Sequence, residues 1–290
     1  IASTAYAENT VYPITANIKV TEYPGNGYYM WDAADGEHYW KGHEWNKPGY
    51  TAGVDQPTVT GTSGSAYAQS NSDPRWYHEG GGSGRFDATK SCASLPNANE
   101  MSWYAMYGDP RRDADELWTA MGHLYKGGMW FKKKSVLLAE GHYNTEKSAD
   151  GSTDMRTTYK SYHNNSSSIN NSGLPSAADA GNYFYLPALG DYHSGQLFVF
   201  GIYGNYWSSS AVSGASNWAY GLTFASSIVY VSHNYRYGGS RGDVPFYCRL
   251  FRFAHSSDRQ NTRNKVGAVP INVKQSARNR SGNFRLLSGK

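Results

Sequence analysis

Residues 183–253 constrain the fold more than any other stretch, and the clearest pattern in them follows Tyr206-Trp207-Ser208-Ser209-Ser210. Leu222 and Phe224 recur on one face, and further on Val229 and Val231 share a face opposite Ile228 and Tyr230. Period-two alternation places one face of an extended chain in a core and leaves the other variable, so a half-buried strand is expected here. Gly238-Gly239-Ser240-Arg241-Gly242 predicts a turn, since glycine adopts turn conformations at little steric cost. Val244-Pro245-Phe246-Tyr247-Cys248-Arg249-Leu250-Phe251 is then expected to return as the next strand.

Upstream, Ile14, Ile18 and Val20 form a strand candidate, and Tyr28-Tyr29-Met30-Trp31 is apolar and β-prone. The first of these is expected to pair with the C-terminal strands. Residues 53–83 are rich in Gly, Ser, Thr and Gln and read as a long excursion, with Pro74-Arg75-Trp76-Tyr77 as an anchor inside it. Asn97 followed by Glu100 has capping-box spacing, and Met101, Tyr104 and Ala105 continue at helical spacing up to Gly108-Asp109-Pro110. Asp113 with Glu116 repeats the capping signal, and Leu117, Met121, Leu124 and Tyr125 form a helical stripe that stops at Gly127-Gly128. A second helix is therefore expected there. Met129-Trp130-Phe131 and Val136-Leu137-Leu138 read as strands. Residues 144–182 are polar and read as a second insertion.

Charge is segregated. Residues 249–290 hold ten Lys/Arg and one acid, Asp258, for +9, whereas residues 1–248 hold seventeen bases and twenty-two acids, for −5. A tail of that sign can meet nucleic acid, anionic lipid or an acidic protein. It carries no helical basic stripe and few aromatics, which disfavours nucleic acid and favours a solvated or partner-ordered extension over 254–290. No run of eighteen apolar residues is present to span a membrane. Ala5-Tyr6-Ala7 is similar to a signal-cleavage site with no apolar region before it, as in a mature product or a protein that needs no signal. Cys92 and Cys248 are too few for a disulfide scaffold; one bridge or two buried thiols both fit.

The frame formed by Phe184-Tyr185-Leu186-Pro187-Ala188-Leu189-Gly190, Gly195-Gln196-Leu197, Gly204-Asn205-Tyr206-Trp207-Ser208-Ser209-Ser210-Ala211 and Arg249-Leu250-Phe251 resembles the C-terminal half of a C-type-lectin-fold domain. It resembles most the ligand-displaying variable proteins diversified by retroelements. The Leu95-Pro96 entry to a helix is similar to that of sulfatase-modifying relatives of the same fold. The resemblance implies an α+β domain over 1–253, with two helices, a twisted antiparallel sheet and long insertions at about 53–83 and 144–182. It also implies non-enzymatic binding of a protein or surface receptor, on a virion or at the cell surface. Mutagenesis of the kind this family undergoes cannot yield Lys, Glu, Gln, Met or Trp at its target codons. From Ser161 to Asn264 the sequence has no Lys, Glu or Met, although the remainder has twenty-eight. Positions of reachable type between frame residues are Asp191, His193, Ser194, Phe198, Phe200, Ile202, Tyr203, Tyr230, Ser232, His233, Tyr235 and Tyr237. These are the expected ligand contacts, and eight of them (Phe198, Phe200, Ile202, Tyr203, Tyr230, His233, Tyr235 and Tyr237) are expected to form one contiguous aromatic patch. Aromatics reach 15% of the residues, with 25 Tyr, and Tyr-rich surfaces bind with large contact area at low entropy cost.

Other chemistries find less support. His38 and His43, beside Glu37 and Glu44, are five apart; this suits neither an i,i+4 helical pair nor one side of a strand, so packing under a loop is preferred to a metal site. Sugar-binding lectins of this fold carry Glu-Pro-Asn or Gln-Pro-Asp tripeptides for calcium. Here only Asp55-Gln56-Pro57 approaches that pattern, in a distant loop, and 180–250 holds just Asp191 and Asp243. The enzymatic relatives use a reactive cysteine pair near the C-terminus, whereas Cys248 stands alone there. No Gly-x-Ser-x-Gly elbow is present. The reading calls for no cofactor, no metal and no catalytic residue. An undiversified secreted adhesin or carbohydrate-binding lectin is the alternative, and an oligomer is compatible with either.

Overall fold

A computed structural model describes residues 20–43, 68, 70, 72–76, 84–166, 169, 173–193 and 195–242. All of these fall in one compact unit, Val20–Phe253. The expected strand at 244–251, the strand residues Ile14 and Ile18, most of the 53–83 excursion, Ser194, Cys248 and the basic tail lie outside the described residues.

The described part is α+β, with β1 (Thr21–Tyr23), β2 (Tyr28–Tyr29), α1 (Ala98–Tyr107), β3 (Arg111–Ala120), β4 (His123–Lys132), α2 (Lys134–Ala139) and β5 (Tyr162–Asn164) in its first portion. There follow β6 (Tyr183–Pro187), β7 (Asp191–His193), β8 (Gln196–Phe198), β9 (Gly204–Ala211), β10 (Trp218–Phe224), β11 (Val229–Tyr235) and β12 (Ser240–Arg241). One sheet runs β1-β3-β4-β6, a larger one runs β2-β12-β9-β10-β11-β5, and β7-β8 form a small hairpin. The pairings are antiparallel except β1 with β3 and β12 with β9, so the sheets are mixed rather than wholly antiparallel.

Helix α1 begins as the sequence predicts. The Asn97 side chain accepts from the Glu100 N–H at 3.0 Å, and the Glu100 carboxylate accepts from the Asn97 N–H at 2.8 Å, a reciprocal pair that satisfies two orphan donors. The second predicted helix does not form. Residues 111–132 are instead a long β-hairpin, with Trp118 opposite Tyr125 and Thr119 opposite Leu124. Met121 (φ 49°) and Gly122 (φ 78°) occupy its two-residue turn, the left-handed pair that a twisted hairpin demands. The capping signal at Asp113 has a real local counterpart. Its carboxylate accepts from the N–H groups of Asp115 and Glu116 at 3.1 and 3.0 Å, but it does so inside a register shift between Asp113 and Leu117. Tertiary pairing with β6 overrides the local propensity. Val136-Leu137-Leu138, expected as a strand, lies in the short helix α2, with Leu137 buried and Leu138 exposed; so short an apolar run does not distinguish the two states. The expected 238–242 turn moves forward to 236–238, and Ser240–Arg241 become a strand between β2 and β9.

Two cores flank the large sheet. Tyr206, Leu222, Phe224, Val229 and Val231 join Met101, Tyr104, Phe131 and Leu186 in the main core under α1. Residues one step out of phase on the same strands, Trp207, Ala211 and Ala219, face the other way onto Trp31, Cys92 and Leu95. The 144–182 stretch is tied into the fold. It contributes β5, which pairs with β11, and buries Met155 and Ile169. Arg156, almost wholly buried, bonds Asp154 at 2.8 and 2.9 Å and also pairs with Glu146.

Candidate functional site

Strand β11 sorts the predicted contact residues. Its register against β10 runs unbroken from Phe224 opposite Val229 to Trp218 opposite Tyr235. Val229 and Val231 are fully buried, so His233 and Tyr235 lie on that same face beyond the end of the core, and Tyr230 and Ser232 lie on the reverse. The expected single patch of eight residues is therefore divided between two sheet faces. Tyr230 stacks on His163 of β5, centroids 5.4 Å apart, and Ser232 is half-buried beside it in sequence.

On the other face the rings form a continuous ribbon. Tyr159 shares a 2.8 Å hydrogen bond with His233 Nδ1. His233 stacks on Trp218 at 4.0 Å, and Trp218 meets Tyr235 edge-on at 6.3 Å. Tyr235 stacks on Tyr237 at 4.9 Å, and Tyr237 on Trp76 at 5.9 Å. His193 touches both Tyr237 and Phe198 edge-on, at 6.4 and 6.3 Å. Sequence reasoning misses Trp218, Tyr159 and His163. The Trp218 contact follows only from the β10–β11 register, and Tyr159 comes from a polar stretch with no strand pattern. Trp76, from the segment expected to serve as an anchor, packs on Tyr237. Trp218 is held from behind: the buried Arg236 donates from Nε to its carbonyl at 3.0 Å while lying over the Trp31 ring at 4.7 Å.

The loop 198–203 sits at one end of this ribbon and is braced by its backbone. The Gly201 N–H donates to the Ala188 carbonyl and the Gly190 N–H to the Tyr203 carbonyl, each at 2.7 Å. The Ile202 and Tyr203 N–H groups both reach the Val199 carbonyl, at 3.0 and 2.9 Å. Two features permit the tight path. Gly190 (φ +60°) leaves space for the Phe198 carbonyl, which a methyl group there would meet at 2.1 Å. Val199 takes φ 48°, a strained conformation for a β-branched residue. The outcome is selective exposure: Phe198 is 47% and Ile202 58% exposed, whereas Phe200 turns inward onto Tyr125 at 4.4 Å and Trp118 at 5.3 Å. Phe200 is therefore an anchor for the loop and not a displayed ring, contrary to the sequence reading. Tyr203 is half-buried.

No family model, no curated protein and no solved structure matches this protein.

Among the described residues, one ion pair lies at the ribbon. His193 Nδ1 lies 3.9 Å from Asp191 Oδ2, and the Asp191 side chain raises the His193 pKa above its ordinary value. Burial raises those of Tyr237 and Tyr230. Among the described residues no group of three or more His, Cys, Asp or Glu is placed to hold a metal. Cys92 is a free thiol, fully buried, with its pKa pushed up to about 12 by that burial. Its sulfur accepts from the Asp32 N–H at 3.2 Å, and the buried Asp32 carboxylate accepts from the N–H groups of Thr89 and Lys90 at 2.8 and 2.7 Å. These bonds tie residues 89–92 to Asp32, and a thiol held protonated is a poor nucleophile. No helix among the described residues is long and apolar enough to cross a membrane.

Proposed function

We propose that this is a ligand-displaying protein of C-type-lectin type, which binds a protein or surface receptor without catalysis from a virion or cell surface. The observation that carries the reading is the ribbon from His233 through Trp218, Tyr235 and Tyr237 to His193 and Phe198. Stacked, partly exposed rings with one charge pair among them match the composition of interface hot spots. An isolated soluble surface gains nothing from exposing Phe198, Ile202 and Tyr235 together. A rigid frame of buried strands with adaptable residues at their ends suits sequence change without loss of fold. In this reading Asp191, His193, Phe198, Ile202, His233, Tyr235 and Tyr237 form the principal contact set, and Tyr230 and Ser232 a second one on the reverse face, while Ser194 lies outside the described residues. The basic tail contacts an acidic partner.

A second reading, an undiversified adhesin or lectin, is favoured by Trp76 and Trp218. Both are residues that the family's mutagenesis does not produce, and both contribute rings to the ribbon. Deep sequencing of the 183–253 coding region across one source population separates the two. Diversification predicts substitutions concentrated at the contact codons, with Trp207, Leu222, Val229 and Val231 constant. A uniform or invariant region decides for the second reading.

A further inference from the structure

Arg112 stands apart from the other cations of the β3–β4 hairpin. Arg111 pairs with Asp109, Lys126 with Asp115, and Lys132 with Glu140. Arg112 is partly buried and has no hydrogen-bond or ion-pair partner among the described residues. It lies opposite Met129 in the hairpin. Arg112 lines a small open cavity of about 10 Å³ with Gly127, Gly128, Ala188, Gly201, Ile202, Phe224 and Ala225, room for one water-sized group. The glycines of the lining are there for a reason. A methyl group at Gly128 would meet the Leu186 carbonyl oxygen at 2.4 Å, and Gly201 has φ +79°, so neither position readily accepts a side chain that would fill the cavity. No carboxylate of the described residues answers the guanidinium. The exposed Ile202 stands at the rim.

A guanidinium carries five donors in a planar fork, stays charged at all ordinary pH, and matches a carboxylate oxygen pair. With no protein acceptor among the described residues, it is free to take one from a ligand. We propose that Arg112 is an anion-binding point that takes one carboxylate, with one oxygen seated over the glycine-lined cavity and an apolar group of the same ligand lying on Ile202. Ile202 is shared with the contact set proposed above, but Arg112 and the glycine lining lie outside the aromatic ribbon, and the anion-binding step does not rest on the display reading. Its ligand class is a carboxylate beside an apolar group, as in an acidic side chain or the C-terminal carboxylate of a polypeptide.

The test follows the arginine Nε–H resonances of the full-length protein by NMR, with Arg112→Gln used to assign the Arg112 signal. Titrations use acetate, acetamide, N-acetyl-leucyl-aspartamide and N-acetyl-isoleucine. The expected result is a saturable shift of the Arg112 resonance with acetate and none with acetamide. Both leucine- and isoleucine-bearing probes should bind several-fold more tightly than acetate. Tighter binding of the aspartamide assigns the site to acidic side chains; tighter binding of N-acetyl-isoleucine assigns it to a polypeptide terminus. In an Ile202→Ser variant, which stays folded because Ile202 is exposed, the apolar probes should fall to the affinity of acetate. Equal, non-saturating shifts at several arginines, or the same response to acetate and acetamide, would overturn the proposal.

Discussion

Trp218 lies flat against His233, ring centroids 4.0 Å apart with an 18° interplanar angle, on two strands that pair without a register break. This contact begins the exposed aromatic ribbon where the buried Leu222–Val231 layer ends. Trp218→Ala should lower stability by about 1–2 kcal/mol, as for a partly buried ring with a stacking partner, and should loosen His233. Urea unfolding together with the His233 ring resonances checks this; an unchanged midpoint with unmoved His233 signals would show that the stack is incidental.

The 198–203 loop should respond to mutation in opposite ways at neighbouring positions. Phe200→Ser removes contacts with Trp118 and Tyr125 and should cost about 1–2 kcal/mol. Ile202→Ser should stay within about 0.5 kcal/mol of wild type. Val199→Gly relieves a left-handed valine and should gain about 0.5–1 kcal/mol despite the entropy of glycine. Thermal melts of the three variants decide the ordering. A destabilising Val199→Gly would mean that valine packing outweighs its backbone strain.

Arg156 ties the 144–162 segment to α1 through Asp154, which also accepts from Asn99 Nδ2 at 2.8 Å. Burial alone would raise the Asp154 pKa, but the Arg156 and Asn99 side chains outweigh it and bring the value down to about 2. The Asp154 contribution to stability is therefore present above about pH 4, its ordinary unfolded value, and is lost as the pH falls through about 2. Arg156→Met should cost about 3 kcal/mol, because a partly buried carboxylate loses its cation. It should also flatten the pH dependence of unfolding in that acid window. Urea titrations of wild type and variant between about pH 2 and 5 test both points.

His193 has the opposite sign. Its native pKa is raised by Asp191, so its contribution is complete below the unfolded value of about 6.5 and fades as the pH climbs through the raised native value. NMR titration of the His193 ring should give a midpoint above that of a free histidine, and Asp191→Asn should bring it back down. An Asp191→Asn variant with an unaltered midpoint would show that the pair does not act.

Much of the frame is legible in the sequence because it rests on local physics. The Asn97–Glu100 box needs four consecutive residues, and the alternation of Val229 and Val231 against Tyr230 needs a single strand. The hairpin at 111–132 is not legible, because Asp113, Leu117, Met121 and Leu124 satisfy helical spacing as well as they satisfy a bulged hairpin. The distinction depends on pairing with β6, a strand far along the sequence whose Leu186 sits opposite Met129. The contact residues are legible as types and not as a surface. Strand parity alone places Tyr230 and His233 on opposite faces, but the ribbon also depends on Trp218, Trp76 and Tyr159, which come from three separate segments. Phe200 looks like Phe198 in sequence, and the strained turn at Val199 is what points one inward and the other out.

The most direct test of receptor display is retention of the folded protein on whole cells from its source environment, comparing wild type with a Phe198→Ser, Tyr235→Ser, Tyr237→Ser variant of matched melting temperature. Display from the ribbon predicts saturable wild-type binding that the triple variant weakens by roughly tenfold or more, since truncation of hot-spot rings costs about 1–2 kcal/mol or more apiece. Equal retention of the two proteins, each folded, would contradict it.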